Sequence, residues 1–195
     1  MDAALALFCD RGWTATTLPM IAARAGTSVD TVYAVFGTKS ALLMAVVERA
    51  TVGEYEEAAA ADRLEIARFS EGPRVERIRT GMHFAVAVFQ RSVPILKALR
   101  EAAASDEAAR VRLARYEENR RNLTAVGLAL MLDEEPSEDV IDAIWAFVSP
   151  EVFTYLTEGR RWSIEKTEAW MVKMCTAALG PPEYPRRGRS SGGVS

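Results

Sequence analysis

Short polar residues at the starts of predicted helices are the most distinctive chemical feature of this sequence. Thr17, Ser28 and Thr38 each precede a stretch with helical character, and their hydroxyls can accept a hydrogen bond from a backbone N–H of the first turn. Pro19 falls in the first turn after Thr17, where its missing N–H costs little. Gly26 supplies a turn conformation that a residue with a Cβ would resist. The spacing predicts two short helices joined by a tight turn, followed by a third helix.

The second short helix, about 29–35, is the element to which this pattern gives a chemical role. Two short helices on a turn containing glycine, here about 17–36, are typical of a helix-turn-helix, whose second helix enters the major groove of DNA. Val29, Asp30 and Thr31 fall near the start of that helix and can face base edges. The geometry therefore predicts DNA binding.

The order of residues over about the first 50 positions resembles the TetR/AcrR family of bacterial transcriptional regulators. The matching residues are Ala3-Ala4-Leu5-Ala6-Leu7-Phe8, Gly12, Thr16-Thr17, Ile21-Ala22, Ala25-Gly26, Ser28, Thr31-Val32-Tyr33, Phe36, Lys39 and Leu42-Leu43. The resemblance implies an all-α homodimer with an N-terminal DNA-binding domain and a C-terminal domain for dimerisation and small ligands.

The resemblance also implies roles for individual residues of the motif. It implies base or phosphate contact for the stretch that begins at Ser28, and phosphate contact for Tyr33 and Lys39. For Thr17 it implies both capping and phosphate contact, and we expect the adjacent Thr16 to assist. These residues, with Val29, Asp30 and Thr31, form the predicted DNA-binding set.

Several of these residues have an alternative interpretation. Tyr33 can place its hydroxyl outward, or can pack in the core as Val32 and Phe36 are expected to do. Lys39 at a helix start opposes the helix dipole, so either an external anion such as phosphate explains it or it is a solvated lysine.

The sequence departs from the family at Asp30, where Gly, Ala or Pro is frequent, and at Val35, where an aromatic residue or His is frequent. A carboxylate in the groove is repelled by phosphates but can accept a hydrogen bond from cytosine N4. Asp30 therefore either reads a C·G pair or only caps the helix.

Charge gives little support to nucleic-acid binding by itself. The chain of 195 residues has a formal net charge of −3. Residues 1–50 sum to zero, because four cations oppose four anions: Arg11, Arg24, Lys39 and Arg49 against Asp2, Asp10, Asp30 and Glu48. Because Met1 falls inside the pattern of the first helix, we expect further, basic residues upstream of it.

No stretch approaches 18 uncharged apolar residues and no signal peptide is evident, so we expect a cytoplasmic protein without membrane association. Cys9 and Cys175 lie in amphipathic segments and are expected to be buried small hydrophobes rather than a disulfide or a metal site.

The remaining sequence predicts helices throughout, about nine in all. We expect an all-α fold with the DNA-binding domain in 1–50, an effector-binding and dimerisation domain in 51–180, and a disordered tail in 181–195. The predicted segments are 2–11, 18–25, 29–35, 39 to about 61, 74–91, a sixth from Pro94 to 104, a seventh to Leu132, an eighth from Ser137 with a kink at Pro150, and 163–179.

Polar residues on the apolar faces of the C-terminal helices mark a candidate ligand site. Arg120 falls in the middle of an apolar stripe, where it either anchors an acidic group of a ligand, forms an internal salt bridge, or lays its stem along the core with its head in water. His83 in the most apolar helix is either a satisfied core histidine or a ligand contact. Other residues that can line an apolar pocket, or can simply be core, are Met82, Phe84, Phe89, Tyr116 and Trp145.

The last two predicted helices each present one apolar stripe, which predicts a four-helix interface between two subunits. Its residues are Ile141, Ile144, Trp145, Val148, Val152, Tyr155, Met171 and Met174. Catalysis finds little support, because the chain has one His, no glycine-rich phosphate loop and no Cys cluster. We therefore predict no catalytic or metal residues and no cofactor.

The predicted partners are palindromic double-stranded DNA, a second copy of the chain and a largely apolar small effector. The predicted protein is a ligand-responsive dimeric repressor. The competing interpretation is a helical carrier or enzyme for an apolar metabolite, with the helix-turn-helix a coincidence of packing.

Overall fold

The computed structural model describes residues 1–50, 66–132 and 134–180, and helix is the only regular secondary structure in those ranges. The all-α prediction is confirmed. The α-helices are α1 (Asp2–Ala15), α2 (Leu18–Ala25), α3 (Val29–Phe36), α4 (Lys39–Glu48), α5 (Arg74–Ala103), α6 (Glu107–Leu132), α7 (Glu138–Phe147), α8 (Pro150–Thr154) and α9 (Ile164–Leu179). A 3₁₀ turn at Arg68–Ser70 precedes α5, and a π turn at Tyr155–Gly159 follows α8.

The predicted caps fix the starts of the short N-terminal helices. The hydroxyls of Thr17, Ser28 and Thr38 each accept a hydrogen bond from the backbone N–H three residues ahead, at 3.4, 3.0 and 2.9 Å. Gly26 ends α2 in the left-handed conformation, with φ 65° and ψ 33°. Each cap satisfies a donor that the helix itself leaves free, which is why helices of eight residues persist here.

The first core is formed by the four helices α1, α2, α3 and α4 together with the last third of α5. Ala4, Phe8, Leu42 and Leu43 are almost completely buried in it, together with Leu96 of α5. The N-terminal helices therefore do not close their core alone. The last third of α5 is part of their packing, although the domain boundary predicted from the sequence lies at residue 50.

The second core lies between the first two thirds of α5 and helices α6 to α9. Its buried side chains come from these five helices, from the 3₁₀ turn and from the residue after α7: Phe69, Ile78, Met82, Val86, Phe89, Val93, Leu128, Met131, Ile141, Ile144, Val148, Phe153, Met171 and Cys175. Helix α5 is thus shared by both cores.

Helix α5 passes through Pro94 without ending, so the predicted boundary between a fifth and a sixth helix is wrong. A proline inside a helix costs about 3 kcal/mol. Val93 is buried in the second core, and Ile95 and Leu96 are buried in the first. Because burial of one such side chain contributes about 1.5–3 kcal/mol, packing on both sides outweighs the lost hydrogen bond.

The predicted eighth helix is broken next to Pro150. Ser149 has an extended backbone with φ −135° and ψ 154°, and its hydroxyl accepts a hydrogen bond from the N–H of Val152 at 3.3 Å. By length and composition alone, Glu138–Gly159 is one described segment that is apolar enough to cross a membrane. The extended residue interrupts its backbone hydrogen bonding, and Ile144 and Phe153 of this segment are buried in the second core.

Other boundaries agree with the prediction to within a few residues. The first helix bends at Gly12 but continues to Ala15, and Asp106 caps α6 by accepting the N–H of Ala109 at 2.9 Å. The predicted end of the fourth helix near residue 61 and the predicted tail 181–195 lie outside the described residues.

Candidate nucleic-acid interface

Helix α3 has one buried face and one face open to solvent. Val32 is buried in the first core, whereas Asp30 and Thr31 are exposed. The exposed fraction is 53% for Tyr33 and 66% for Val35. Exposed apolar and aromatic surface on a short capped helix is available for contact with another molecule.

Two residues at the start of α3 are engaged within the protein. Val29 is half-buried and packs against the first core, which leaves it less exposed than a base-contacting residue is expected to be. The hydroxyl of Ser28 caps the helix and lies 2.8 Å from the hydroxyl of Thr31. The hydrogen-bonding groups that this helix start presents outward are therefore those of Asp30 and Thr31.

A cleft lies beside α3, at the N-terminal ends of α2 and α4. Its lining combines two helix caps, the phenol of α3 and the first residues of α4: Thr16, Thr17, Leu18, Pro19, Tyr33, Gly37, Thr38 and Lys39. Helix N-termini present free backbone N–H groups and favour anions. The cleft therefore has the donors that a phosphate group would use.

Thr16 does not contribute its hydroxyl to this cleft, which corrects the expectation that it contacts DNA. The residue is completely buried, and its hydroxyl donates to the backbone oxygens of Gly12 at 2.7 Å and Leu7 at 3.1 Å. It closes the end of α1 and places Thr17 at the start of α2.

Lys39 is held by the protein itself, so neither an external anion nor solvation alone accounts for it. Its ammonium donates to the backbone oxygens of Trp13 at 2.8 Å and Thr16 at 2.9 Å, and lies 4.0 Å from the centroid of the Trp13 ring. Burial lowers the pKa of Lys39, while the charge of Glu101 opposes that shift. The lysine ties the end of α1 to the start of α4.

Glu101 of α5 is a residue of this region that sequence reasoning missed. Its carboxylate accepts the N–H groups of Trp13 at 2.7 Å and Thr14 at 3.1 Å. The pKa of Glu101 is lowered below its usual range, mainly because its carboxylate is hydrogen-bonded to Thr14. The predicted first helix ends before Gly12, where the structure has a bend, but nothing local to the sequence points to a partner 88 residues away.

Ion pairs redistribute the charge of the first 50 residues. Asp2 pairs with Arg49, and Glu48 pairs with Arg112 of α6 at 2.7 Å. The pairing with Arg112 brings a positive charge from outside the N-terminal segment to its surface. Glu101 brings a negative charge to the same helices, so these two residues from outside the segment leave the zero net charge counted from the sequence unchanged.

The C-terminal helices enclose a half-open apolar cavity of about 130 Å³ between α5, α6 and α7. Four of the seven predicted ligand-site residues line it, namely Met82, Phe84, Phe89 and Arg120. The other lining residues are Phe69, Gly81, Ala85, Val88, Leu123, Thr124, Gly127, Leu128, Met131, Ile144 and Val148.

Arg120 is satisfied within the protein. Its guanidinium donates to the backbone oxygens of Trp145 at 2.6 Å and Val148 at 3.1 Å, and pairs with Glu117 at 2.9 Å. It also lies 4.5 Å from the centroid of the Trp145 ring. Of the alternatives predicted from the sequence, the internal salt bridge is the one that the structure has. The charge of Arg120 is therefore already paired with Glu117 before any ligand enters.

The three remaining predicted pocket residues lie outside the cavity lining. The side chain of His83 is 69% exposed and lies 3.2 Å from the carboxylate of Glu168, so it is not a core histidine. Tyr116 packs against the first core, where burial raises its pKa to about 12. Trp145 stacks on Arg120 behind the cavity wall.

The predicted dimer residues divide into two groups. Ile141, Ile144, Val148 and Met171 are buried within one subunit, so their side chains are not available to a partner and their assignment to the interface is corrected. The others keep exposed surface: Trp145, Val152, Tyr155 and Met174. A stripe at helical spacing shows which face is buried, but not whether its own chain or a partner buries it.

The described residues hold no group of three or more His, Cys, Asp or Glu side chains that could bind a metal ion. Both cysteines are free thiols. Cys175 is buried, and that burial raises its pKa to about 12.

Comparison with known proteins agrees with the domain and with the fold. Residues 1–46 match the family of bacterial regulatory proteins called the tetR family. No curated protein matches the sequence.

Two solved structures resemble nearly the whole chain. A TetR-like transcriptional regulator from Rhodococcus sp. RHA1 is 18% identical with a TM-score of 0.63, over 91% of this chain and 92% of the other. A protein assigned to the TetR-family transcriptional regulators, from Rhodococcus sp., is 16% identical with a TM-score of 0.65, over 92% and 95%.

Residues 1–46 therefore match the tetR family, and the all-helical fold of the whole chain is similar to the folds of these two proteins. Domain and fold together support a DNA-binding transcriptional regulator.

Proposed function

We propose that this protein is a homodimeric, ligand-responsive transcriptional repressor that binds a palindromic operator through α3. The observation that carries the proposal is the exposed face of α3 beside a cleft at two helix starts. Asp30, Thr31 and Tyr33 are exposed on that helix, and Thr17 and Thr38 cap the two helices at the cleft. No small-molecule carrier has a use for this arrangement, whereas a major-groove helix flanked by phosphate contacts requires it.

Each part of the interface has a different task in this proposal. Asp30 and Thr31 face base edges, and the Tyr33 hydroxyl and the N-terminal N–H groups of α2 and α4 contact phosphates. Lys39 holds the cleft in shape through Trp13 and Thr16. The domain organisation follows: residues 1–50 bind DNA, with the end of α5 as support, and 51–180 bind the effector and the partner subunit.

Retention of genomic DNA tests the DNA-binding part of the proposal. Purified protein is mixed with sheared genomic DNA of the source organism at about 100 mM salt, and retained fragments are sequenced. We expect enrichment of a few palindromic sites and, for Tyr33→Phe, affinity about fivefold lower from loss of one hydrogen bond. The control variant Thr80→Ala, on α5 away from α3, should bind as the wild type. Failure of the wild type to enrich any fragment would favour the carrier interpretation.

The exposed apolar residues of α7 to α9 support a dimer. Tyr155 is 67% exposed, and Trp145, Val152 and Met174 keep partial exposure. Two copies that pack this surface isologously would place two α3 helices about one DNA turn apart, ~34 Å. Sedimentation should show a dimer at micromolar concentration and a monomer for Tyr155→Arg. A monomeric wild type would contradict this part.

The cavity supports a neutral, apolar effector. Arg120, the one charged residue among the described residues of the lining, is already bonded to two backbone oxygens and to Glu117. Thr124 donates its hydroxyl to the backbone oxygen of Arg120 at 2.9 Å. An apolar cavity of about 150 Å³ can hold benzene, and the present cavity of about 130 Å³ is half-open, so that a methyl group can extend toward its mouth. Toluene should therefore raise the melting temperature and benzoate should not. A larger shift with benzoate would mean that Arg120 is free to bind an acid.

A repressor that responds to such an effector works by a population shift. The effector favours one subunit arrangement only to the extent that it binds that arrangement more tightly. We also expect a cytoplasmic location, because the proposed partner is DNA.

A further inference from the structure

One carboxylate of the cavity-lining helix reaches the DNA-binding helices. Glu101, near the end of α5, accepts the backbone N–H groups of Trp13 at 2.7 Å and Thr14 at 3.1 Å. Both hydrogen bonds connect α5 to residues of α1. The contact therefore links the packing of α5 to the course of α1.

The backbone of α1 is built to receive this carboxylate. Gly12 has φ 75° and ψ −178°, a conformation that only glycine adopts readily, and it interrupts α1. The N–H groups that follow the break start a new turn and lack intrahelical acceptors. A Cβ on Gly12 would lie 2.6 Å from Oε2 of Glu101. Glycine at this position therefore both turns the chain and leaves room for the carboxylate.

The same peptide segment is held from its other side by Lys39. Glu101 binds the N–H of Trp13, and the Lys39 ammonium binds the backbone oxygen of Trp13 at 2.8 Å. Lys39 is the first residue of α4 and lines the cleft with Thr38 and Tyr33. A displacement of Glu101 therefore reaches the cleft through two consecutive contacts.

Helix α5 also carries residues of the effector cavity. Phe89 lines the cavity 12 residues before Glu101, which is about 18 Å along a helix. The residues between them are packed in both cores. Helix α5 therefore contacts the effector cavity through Phe89 and contacts α1 through Glu101.

We propose that Glu101 is a positioning residue for DNA binding, which sets the orientation of α1 and, through Lys39, the shape of the cleft beside α3. This inference rests on the proposed function. It assigns Glu101 no contact with DNA. It assigns the carboxylate the role of holding α1 in a fixed orientation against α5.

Hydrogen exchange and DNA affinity test the proposal with Glu101→Ala and Glu101→Gln. Exchange of the Trp13 and Thr14 amides, measured without DNA, should be about tenfold faster or more in Glu101→Ala. Affinity for a retained genomic fragment should fall about fivefold or more. Glu101→Gln keeps one neutral acceptor, so both quantities should lie between those of the wild type and Glu101→Ala. Glu76→Ala removes another exposed carboxylate of α5 and should change neither.

Each outcome decides the proposal. Unchanged exchange at Trp13 and Thr14 would mean that the carboxylate does not hold α1, and would overturn it. Faster exchange with unchanged DNA affinity would make the contact purely structural and would also overturn it. If Glu101→Ala does not fold, the graded result of Glu101→Gln decides. If the wild type binds no genomic fragment, the proposed function fails, and the positioning role fails with it. The exchange result then still shows separately whether the contact exists.

Discussion

The two cores that share helix α5 differ in the helices that build them and in the cavity beside each. The first core, around Phe8, Leu42 and Leu43, holds the short capped helices, and these three side chains are at most 1% exposed. The second core contains a cavity of about 130 Å³ lined largely by apolar side chains. A cavity of the same volume adjoins the first core, but the exposed residues Thr27, Thr31 and Val35 are part of its lining. The two regions therefore fit two tasks: the short capped helices present a surface to another molecule, whereas the long C-terminal helices enclose apolar space that a small molecule can fill.

The largest expected effect comes from truncating a buried side chain of the first core. Leu43→Ala removes a completely buried side chain and should lower the free energy of unfolding by about 2–5 kcal/mol. Leu123→Ala is the matched change at the cavity, where the residue is 59% exposed, and should cost less than about 1 kcal/mol. Urea unfolding at one fixed protein concentration measures both. Equal losses would contradict this, because they would mean that the exposed Leu123 contributes as much packing energy as the buried Leu43.

Asp30→Ala tests whether the exposed surface of α3 reads sequence. If Asp30 accepts a hydrogen bond from cytosine, its loss should relax the preference at one symmetric operator position, where discrimination is about 1–3 kcal/mol. Binding-site selection with the variant and the wild type measures the change. An unchanged site profile would leave Asp30 with a capping role.

Two glycines, one on each side of the comparison, should respond in opposite directions. At Gly12, φ is 75° and a Cβ would lie 2.6 Å from a Glu101 oxygen. Gly12→Ala should therefore lower the free energy of unfolding by about 1–3 kcal/mol. Urea unfolding and the exchange of the Trp13 amide both report this change. A neutral Gly12→Ala would contradict the strained bend in α1.

Gly127 faces the cavity and should tolerate a side chain. A Cβ there would meet Phe69 at 3.5 Å and Met131 at 3.7 Å, which are ordinary contacts. Gly127→Ala should raise the free energy of unfolding by about 0.5–1 kcal/mol, because alanine stabilises a helix interior. It should also weaken toluene binding by reducing the cavity. A destabilised Gly127→Ala would mean that the helices there are already in close contact.

The features that the sequence predicted are those set by local chemistry. The caps at Thr17, Ser28, Thr38 and Ser137 lie where predicted, because a hydroxyl and an N–H three residues ahead suffice to define them. The prediction of a helix boundary at Pro94 was wrong, because the preference of proline for helix starts is local and does not account for the packing of α5 in both cores.

The site residues that were predicted less well depend on long-range contacts. Lys39 faces backbone oxygens of α1, and Glu101 reaches α1 from α5; neither partner is near in sequence. Arg120 was left with several alternatives, and its bonds to the backbone of Trp145 and Val148 are also long-range. An apolar stripe likewise could not show that Ile144 faces its own core rather than a partner.

The central claim is that α3 and the cleft beside it bind DNA, and a titration of one retained genomic fragment tests it most directly. Affinity is measured for the wild type and for Thr31→Ala combined with Tyr33→Phe, at several salt concentrations. The account predicts sequence-specific binding that weakens as salt rises and is about tenfold or more lower in the double variant, with the fold unchanged. Equal affinity of wild type and double variant for this fragment would contradict it.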